Sequence, residues 1–290
     1  MNLKAFEFYL KSAERGNSCA QNNLGYCYQN GIGINKDEKK AFEWYLKASN
    51  EDIHAQYNLG LCYQYGIGIN KDDKKSFECY LKSAEKGFRE SYLLLNKSVI
   101  NAQYQLGCCY NNGIGVKANI TKAFELYSIA AEKGHGFAQH TLGTLYINGN
   151  YYKIGEYVEK DERNAFEYYK KSADQNYFYA QFELANCYEK GIGIDIDLLK
   201  AFELYKIAAK KGYRIAQKIL ATLYKNGEGT EKDLDKSYYW FNKAEEKDNV
   251  VAQYNLGFCY EKGIGIEVMK KVAIESYEIA SRKWAYNCTK

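Results

Sequence analysis

Nine cysteines and three histidines are the residues of this chain whose types could bind a metal or form disulfides. One position of a repeated motif carries cysteine in five copies and leucine in two: Cys27, Cys62, Cys109, Cys187, Cys259, Leu145 and Leu223. A position that accepts either residue favours a small, buried apolar side chain. No C-x-x-C pair occurs, and neighbouring copies should lie beyond the ~7 Å between Cα atoms that a disulfide tolerates. We therefore expect free thiols, no metal site and no cofactor.

Catalytic arrangements are equally absent from the sequence. His135 and His140 are five residues apart across a helix start, which is poor geometry for one ligand face. The G-I-G segments lack the preceding strand and the following Lys-Ser or Lys-Thr of a phosphate-binding loop. No Ser, Cys or Asp stands out with a partner base. We predict no catalytic residue and expect that the protein is not an enzyme.

The elements that would position any site come from one repeated stretch, AQYNLGLCYQYGIG at residues 55–68. Copies start at residues 20, 55, 102, 138, 180, 216 and 252, and the underlying period of 36 is typical of helix-pair solenoids. Steps of four place Ala55, Leu59 and Tyr63 on one face of a first helix, and Gly66 is its expected C-cap. An A-F-E-x-Y pattern, with Asp or Asn as the N-cap four residues before it, indicates a second helix.

Three stretches depart from this period. Residues 1–16 match a second helix with no first helix before it, residues 91–101 are additional, and the loop at 150–160 is longer than in other copies. Since the additional stretch is close to a whole number of helical turns, it is either an extension of a first helix or the remnant of a repeat. We expect one solenoid over 1–290, with self-association through ends that carry no polar capping repeat.

Composition narrows the remaining function classes. The net charge of +4 is spread through mixed runs such as residues 36–40, which is typical of a solvated face and not of a nucleic-acid-binding surface. Charges interrupt the apolar residues of 1–16, so this stretch is not a signal peptide. No run reaches the ~18 apolar residues that a membrane span needs. We expect a cytoplasmic protein that neither binds nucleic acid nor inserts into a membrane.

A variable row of side chains lies on the first helices, at the third, seventh and tenth motif positions, which should point away from the core. Variable aromatic and polar residues on a constant frame are what a peptide-binding groove requires, although unconstrained surface would vary in the same way. The predicted protein-binding residues are Tyr57, Leu61, Gln64, Tyr104, Asn111, His140, Phe182, Asn186, Glu189, Lys218, Lys225, Tyr254, Phe258 and Glu261.

The frame A-Q-x-x-L-G-x-x-Y-x-x-G-x-G, followed by D-x-x-K-A-F-E-W-Y-x-x-A, closely resembles the Sel1-like repeat (SLR) family, relatives of tetratricopeptide repeats. The resemblance implies an all-α, right-handed superhelical solenoid of antiparallel helix pairs, here about seven repeats plus an N-terminal half repeat. It also implies a non-catalytic scaffold or adaptor that binds a peptide or helix of a partner protein along a concave face lined by first helices. The alternatives are a regulatory module of a larger signalling enzyme, for example a kinase, and an activator of a membrane enzyme such as chitin synthase.

Overall fold

The structure is a computed structural model that describes residues 2–89, 96–149, 151–153, 156–158, 160–244, 250–263 and 270–288. Its helices fall into two compact units, Met1–Lys160 and Asp161–Lys290. The first unit contains α1 (Asn2–Glu14), α2 (Ser18–Asn30), α3 (Glu38–Ala48), α4 (Ile53–Tyr65), α5 (Asp73–Arg89), α6 (Lys97–Asn112), α7 (Ile120–Glu132), α8 (Gly136–Asn148), β1 (Tyr151–Lys153) and β2 (Glu156–Val158). The second contains α9 (Glu162–Asp174), α10 (Phe178–Lys190), α11 (Leu198–Lys210), α12 (Arg214–Asn226), α13 (Leu234–Ala244), α14 (Val250–Lys262) and α15 (Lys270–Cys288).

Consecutive helices pack against each other within each unit, so the prediction of an all-α solenoid of helix pairs is confirmed. In the first unit α2 contacts α3, α4 contacts α5 and α6 contacts α7. First helices of neighbouring repeats also touch, α2 with α4 and α4 with α6. A surface shared by successive first helices is therefore built into the repeat. Among the described helices, none has the length and apolar character that crossing a bilayer requires.

The second helices α3, α5, α7, α9, α11 and α13 begin where the sequence predicts, because a side chain caps the first turn of each. Asp37, for example, accepts a hydrogen bond from the backbone N–H of Lys40 at 3.0 Å. The predicted caps that make this bond are Asp37, Asp72, Asn119, Asp161, Asp197 and Asp233. Such a cap contributes about 1 kcal/mol. The first helices end at glycine, as at Gly66, whose φ of 73° lies in the left-handed region.

The glycine after the motif leucine lets the two helices of a repeat approach closely. A Cβ added at Gly60 would lie 2.6 Å from the ring of Tyr80, and one at Gly107 would lie 2.7 Å from the ring of Tyr127. Both tyrosines are buried on the facing second helix. The position after the motif leucine therefore requires a small residue for the two helices to pack.

In several repeats the glutamine of the A-Q pair joins neighbouring helices. Gln139 Nε2 donates to the carbonyl oxygen of Ala131 at 3.0 Å, and Gln217 Nε2 donates to that of Ala209, also at 3.0 Å. Each bond brings a second donor to a carbonyl in the last turn of the preceding second helix, because the same two oxygens also accept from the backbone N–H groups of Gly134 and Gly212. Glutamine recurs there because an amide can reach and donate.

The irregular stretches have local structure of their own. Helix α6 begins at Lys97, capped by Asn96, and so starts three residues earlier relative to its motif than α4 does. Residues 91–95 of the additional stretch lie outside the described residues. The long loop at 150–160 contains the β1–β2 hairpin, in which Tyr151 pairs with Val158.

Candidate protein-binding surface

The five cysteines that recur at one motif position are packed in the core. Cys27, Cys62, Cys109, Cys187 and Cys259 are all buried, as predicted. Burial raises the pKa of Cys62 to about 12, so its thiol stays protonated and is a poor nucleophile or metal ligand. The eight cysteines whose side chains the structure describes are free thiols. Across the described part of the chain, no three His, Cys, Asp or Glu side chains group together in a way that could hold a metal ion.

A cleft of about 500 Å³ opens between the first helices α4, α6 and α8 of the first unit. Three of the predicted binding residues line it: Tyr57, Gln64 and Tyr104. Cys108, at the seventh motif position of the variable row, lines it as well. Sequence reasoning missed the other lining residues, which are Tyr65, Asn101, Gln105, Asn112, Ile114, His135 and Phe137. The structure therefore brings together residues from three successive repeats.

His135 forms one wall of this cleft and caps α8 at the same time. Its Nδ1 accepts a hydrogen bond from the backbone N–H of Ala138 at 3.1 Å, and its ring stacks on Tyr104 with centroids 4.6 Å apart. Burial, and after it the nearby positive charge of Lys97, lower the pKa of His135 to about 4. The imidazole is thus neutral at physiological pH, and since Nδ1 is an acceptor, its proton resides on Nε2.

Tyr57 connects the two first helices on the other side of the cleft. Its ring packs against Tyr80 with centroids 5.8 Å apart. Burial raises the pKa of the Tyr57 phenol, while hydrogen bonds with the side chains of Gln105 and Asn101 lower it. The hydroxyl of Tyr80 in turn donates to Gln64 Oε1. These bonds fix the orientation of three carboxamides that face the cleft.

The tenth motif position has a structural role that the sequence analysis did not anticipate. Tyr45 donates to Gln29 Oε1 at 2.8 Å, and Tyr277 donates to Glu261 Oε2 at 2.8 Å, each across the two helices of one repeat. The Tyr205 hydroxyl lies 3.0 Å from Glu189 Oε2 and 2.7 Å from Asn186 Oδ1, so its single proton is shared between the two acceptors. Four predicted binding residues therefore orient a core tyrosine: Gln64, Asn186, Glu189 and Glu261.

Phe182 does not lie on the surface, and the prediction that the third motif position points away from the core is wrong there. Its side chain is only 8% exposed. The ring packs on Tyr205 at 5.6 Å and on Tyr213 at 4.9 Å between centroids. Tyr213 holds the position that His135 holds in the first unit, and its ring covers Phe182.

The remaining predicted residues of the first unit are not among the residues that line the cleft. Leu61 is half-buried against the core between α5 and α6. Asn111 is exposed and donates to Asn112 Oδ1, a cleft residue, at 3.1 Å. His140 is half-buried, and burial lowers its pKa.

The predicted residues of the second unit form a separate set with a different character. The Nζ of Lys225 lies 4.3 Å from the centroid of the Phe258 ring, and Lys218 is half-buried. Tyr254 is 56% exposed, and its ring lies tilted against that of Tyr277 with centroids 5.3 Å apart. These residues are charged or aromatic, whereas the cleft of the first unit has no charged lining residue.

One sequence signal could have located the cleft in advance. Residues 18–30, 53–65, 98–112 and 136–148 contain no Asp, Glu, Lys or Arg, although 26% of the chain is charged. These segments belong to the four first helices of the first unit. The lack of charge distinguishes these four segments from the rest of the chain.

Comparison with known proteins agrees with this architecture. A family model described as "Sel1 repeat" matches residues 2–17, 20–52, 53–88, 100–135, 137–177, 178–213, 214–249 and 250–282. A Sel1 repeat protein from Oxalobacter formigenes is 35% identical with a TM-score of 0.66, over 81% of this chain and 87% of that one. The protective antigen c5321 of uropathogenic Escherichia coli, which displays an SLR fold, is 29% identical with a TM-score of 0.82 over 96% of this chain. The chain spans 56% of the length of c5321. No curated protein matches the chain.

Proposed function

The chain belongs to the Sel1 repeat family, and from this premise we propose that it is a non-catalytic scaffold that binds a segment of another protein along its first helices. Sel1 repeat proteins are generally protein-interaction scaffolds. For this chain, one observation carries the proposal: the cleft that gathers Tyr57, Gln64 and Tyr104 from neighbouring repeats. The partner segment occupies this cleft and continues along the first-helix face.

The size and composition of the cleft support this assignment. About 500 Å³ is within the range of sites that bind small molecules or a few side chains. Tyrosine offers a large apolar surface with a polar tip and loses little conformational entropy on binding, which is why it is frequent at binding hot spots. The rings of Tyr57 and Tyr104 are already fixed by neighbouring rings, so binding costs little further ordering.

The state of the thiols supports a binding role in a reducing compartment. Burial raises the pKa values of Cys62, Cys109 and Cys187 to about 12, which leaves these groups protonated. Eight free cysteines fit the cytoplasm better than a compartment where disulfides form. The proposal therefore places the scaffold in the cytoplasm.

The experiment compares partner capture by two variants of the full chain. Replacing Tyr57, Tyr104 and Tyr254 together by alanine should abolish the capture of partners from the native cell, measured by affinity purification and mass spectrometry. The control replaces Leu46 and Tyr239, which are 48% and 54% exposed on second helices, and should leave capture intact. Helicity by circular dichroism must be the same in both variants. Unchanged capture by the tyrosine variant would refute the proposed surface.

A further inference from the structure

The walls of the cleft in the first unit are polar but entirely uncharged. Its lining consists of tyrosine, asparagine, glutamine, cysteine, isoleucine, phenylalanine and one neutral histidine. The corresponding first helices of the second unit are different, since α10 carries Glu183 and Glu189 and α12 carries Lys218 and Lys225. The lack of charge is thus a property of the first-helix segments of the first unit, three of which line the cleft, and not of the repeat.

Carboxamides supply most of the polar groups of the cleft, and hydrogen bonds with neighbouring residues hold them in place. Gln64 accepts a hydrogen bond from Tyr80, and Asn112 Nδ2 donates to the carbonyl oxygen of Cys108 at 3.0 Å. Gln105 and Asn101 bond the Tyr57 hydroxyl. Each carboxamide has two N–H donors and two acceptor lone pairs, so after these bonds it can still both donate a hydrogen bond to a ligand and accept one. A row of oriented groups that both donate and accept matches the alternating N–H and C=O groups of an extended polypeptide.

The aromatic rings of the cleft are packed mainly against one another. His135 stacks on Tyr104 at 4.6 Å, Phe137 lies 6.2 Å from Tyr104, and Tyr57 lies against Tyr80. A sugar ring is typically bound by stacking on an aromatic face, and His135 already occupies one face of Tyr104. The edges and hydroxyl groups of these rings are better suited to the apolar side chains and backbone of a peptide.

We propose that the cleft between α4, α6 and α8 binds an extended polypeptide segment that lacks charged side chains, with Gln64, Asn101, Gln105 and Asn112 pairing its backbone amides. This inference rests on the proposed function and specifies the partner of the same site. A charged ligand side chain would be taken out of water beside walls that offer no opposite charge, which is unfavourable. A neutral segment leaves no such charge behind, and its backbone groups regain their hydrogen bonds on the carboxamides.

The chain supplies matched variants from its own repeats. Glu183 occupies the motif position of Gln105, and Glu189 occupies that of Gln64, where it accepts a hydrogen bond from Tyr205 just as Gln64 does from Tyr80. The fold therefore tolerates glutamate at both positions. Gln105→Glu and Gln64→Glu change the charge of the cleft and remove two N–H donors each, with little change in side-chain volume.

The test selects random peptides from a display library on the full chain and measures the affinity of the enriched peptides by calorimetry. We expect the shared core of these peptides to contain no Asp, Glu, Lys or Arg. Gln105→Glu should weaken binding by at least about tenfold, because a desolvated charge enters the site. The control Glu183→Gln, which makes the second unit more like the first, should leave the affinity unchanged. Circular dichroism verifies that each variant is folded.

The outcomes separate this inference from the proposed function. Enriched peptides with charged cores whose binding depends on Tyr57 and Tyr104 would overturn the uncharged partner while supporting a protein-binding scaffold. Peptides whose affinity responds to neither Gln105→Glu nor Gln64→Glu would overturn the inference as well. If a neutral oligosaccharide competed with the enriched peptides for the cleft, the inferred ligand would be a glycan and the peptide inference would be wrong. A library that yields no binder would count against both proposals.

Discussion

His135→Asn is expected to remove a specific part of the pH dependence of stability. In the folded protein burial holds the pKa of His135 at about 4, against 6.5 for the ordinary imidazole. Because the folded pKa is the lower one, protonation favours the unfolded chain. The contribution of neutral His135 is complete above pH 6.5 and is lost as the pH falls from 6.5 towards 4. By proton linkage this costs at most about 2 kcal/mol between pH 7 and pH 5.

Asparagine is the matched replacement because the chain already uses it at this motif position. Asn17 caps α2 by accepting a hydrogen bond from the backbone N–H of Ala20 at 2.8 Å. His135→Asn therefore keeps the cap of α8 and removes only the titrating ring and its stacking on Tyr104. The lost stacking lowers stability by the same amount at every pH. His140 titrates in both proteins, so it cancels in the comparison.

The assay is urea unfolding of both proteins at pH 7 and pH 5, combined with NMR titration of the histidine ring protons. The wild-type chain should lose more stability than the variant on acidification, and one imidazole signal, absent in His135→Asn, should titrate near pH 4. Equal losses in the two proteins, or titration of that signal near 6.5, would refute the burial and capping that we assign to His135.

Three further experiments test the structure of the repeats themselves. Dithiothreitol should leave the melting temperature unchanged, because the described cysteines are free, and a marked drop would reveal a bridge. Gly68→Ala should destabilise more than Gly16→Ala, by about 1–3 kcal/mol in urea unfolding, since both need positive φ but only at Gly68 would the Cβ overlap the backbone at Glu38. Asp37→Ala should cost about 1 kcal/mol through the lost bond to the Lys40 N–H, while Asp37→Asn should cost little; equal losses would contradict a capping role.

Much of the fold was predictable because its signals are local and repeated seven times. The capping role of Asp37, the left-handed turn at Gly66 and the buried thiol of Cys62 each follow from a residue type at a fixed place in the motif. Repetition strengthens each of these signals, since a replacement in one copy, such as leucine for cysteine, shows what the position requires.

The site was only partly predictable because it depends on contacts between repeats. Periodicity placed Tyr57 and Tyr104 on one face, but it does not reveal that His135 of a third repeat stacks on Tyr104. Phe182 has the same motif position as Tyr57 and is buried, because the ring that covers it comes from Tyr213, more than 30 residues away. Residues at one motif position have the same place in the helix, but the side chains that surround them differ from repeat to repeat.

The central claim is that a partner protein occupies the cleft of the first unit, and site-specific photocrosslinking tests it most directly. A benzophenone amino acid would replace Tyr65, a cleft residue that is 57% exposed, or Leu46, which is 48% exposed on the second helix α3. Irradiation in the native cell, followed by mass spectrometry, should give an adduct with a defined protein from position 65 and none from position 46. An adduct from position 46 with none from position 65 would contradict the claim.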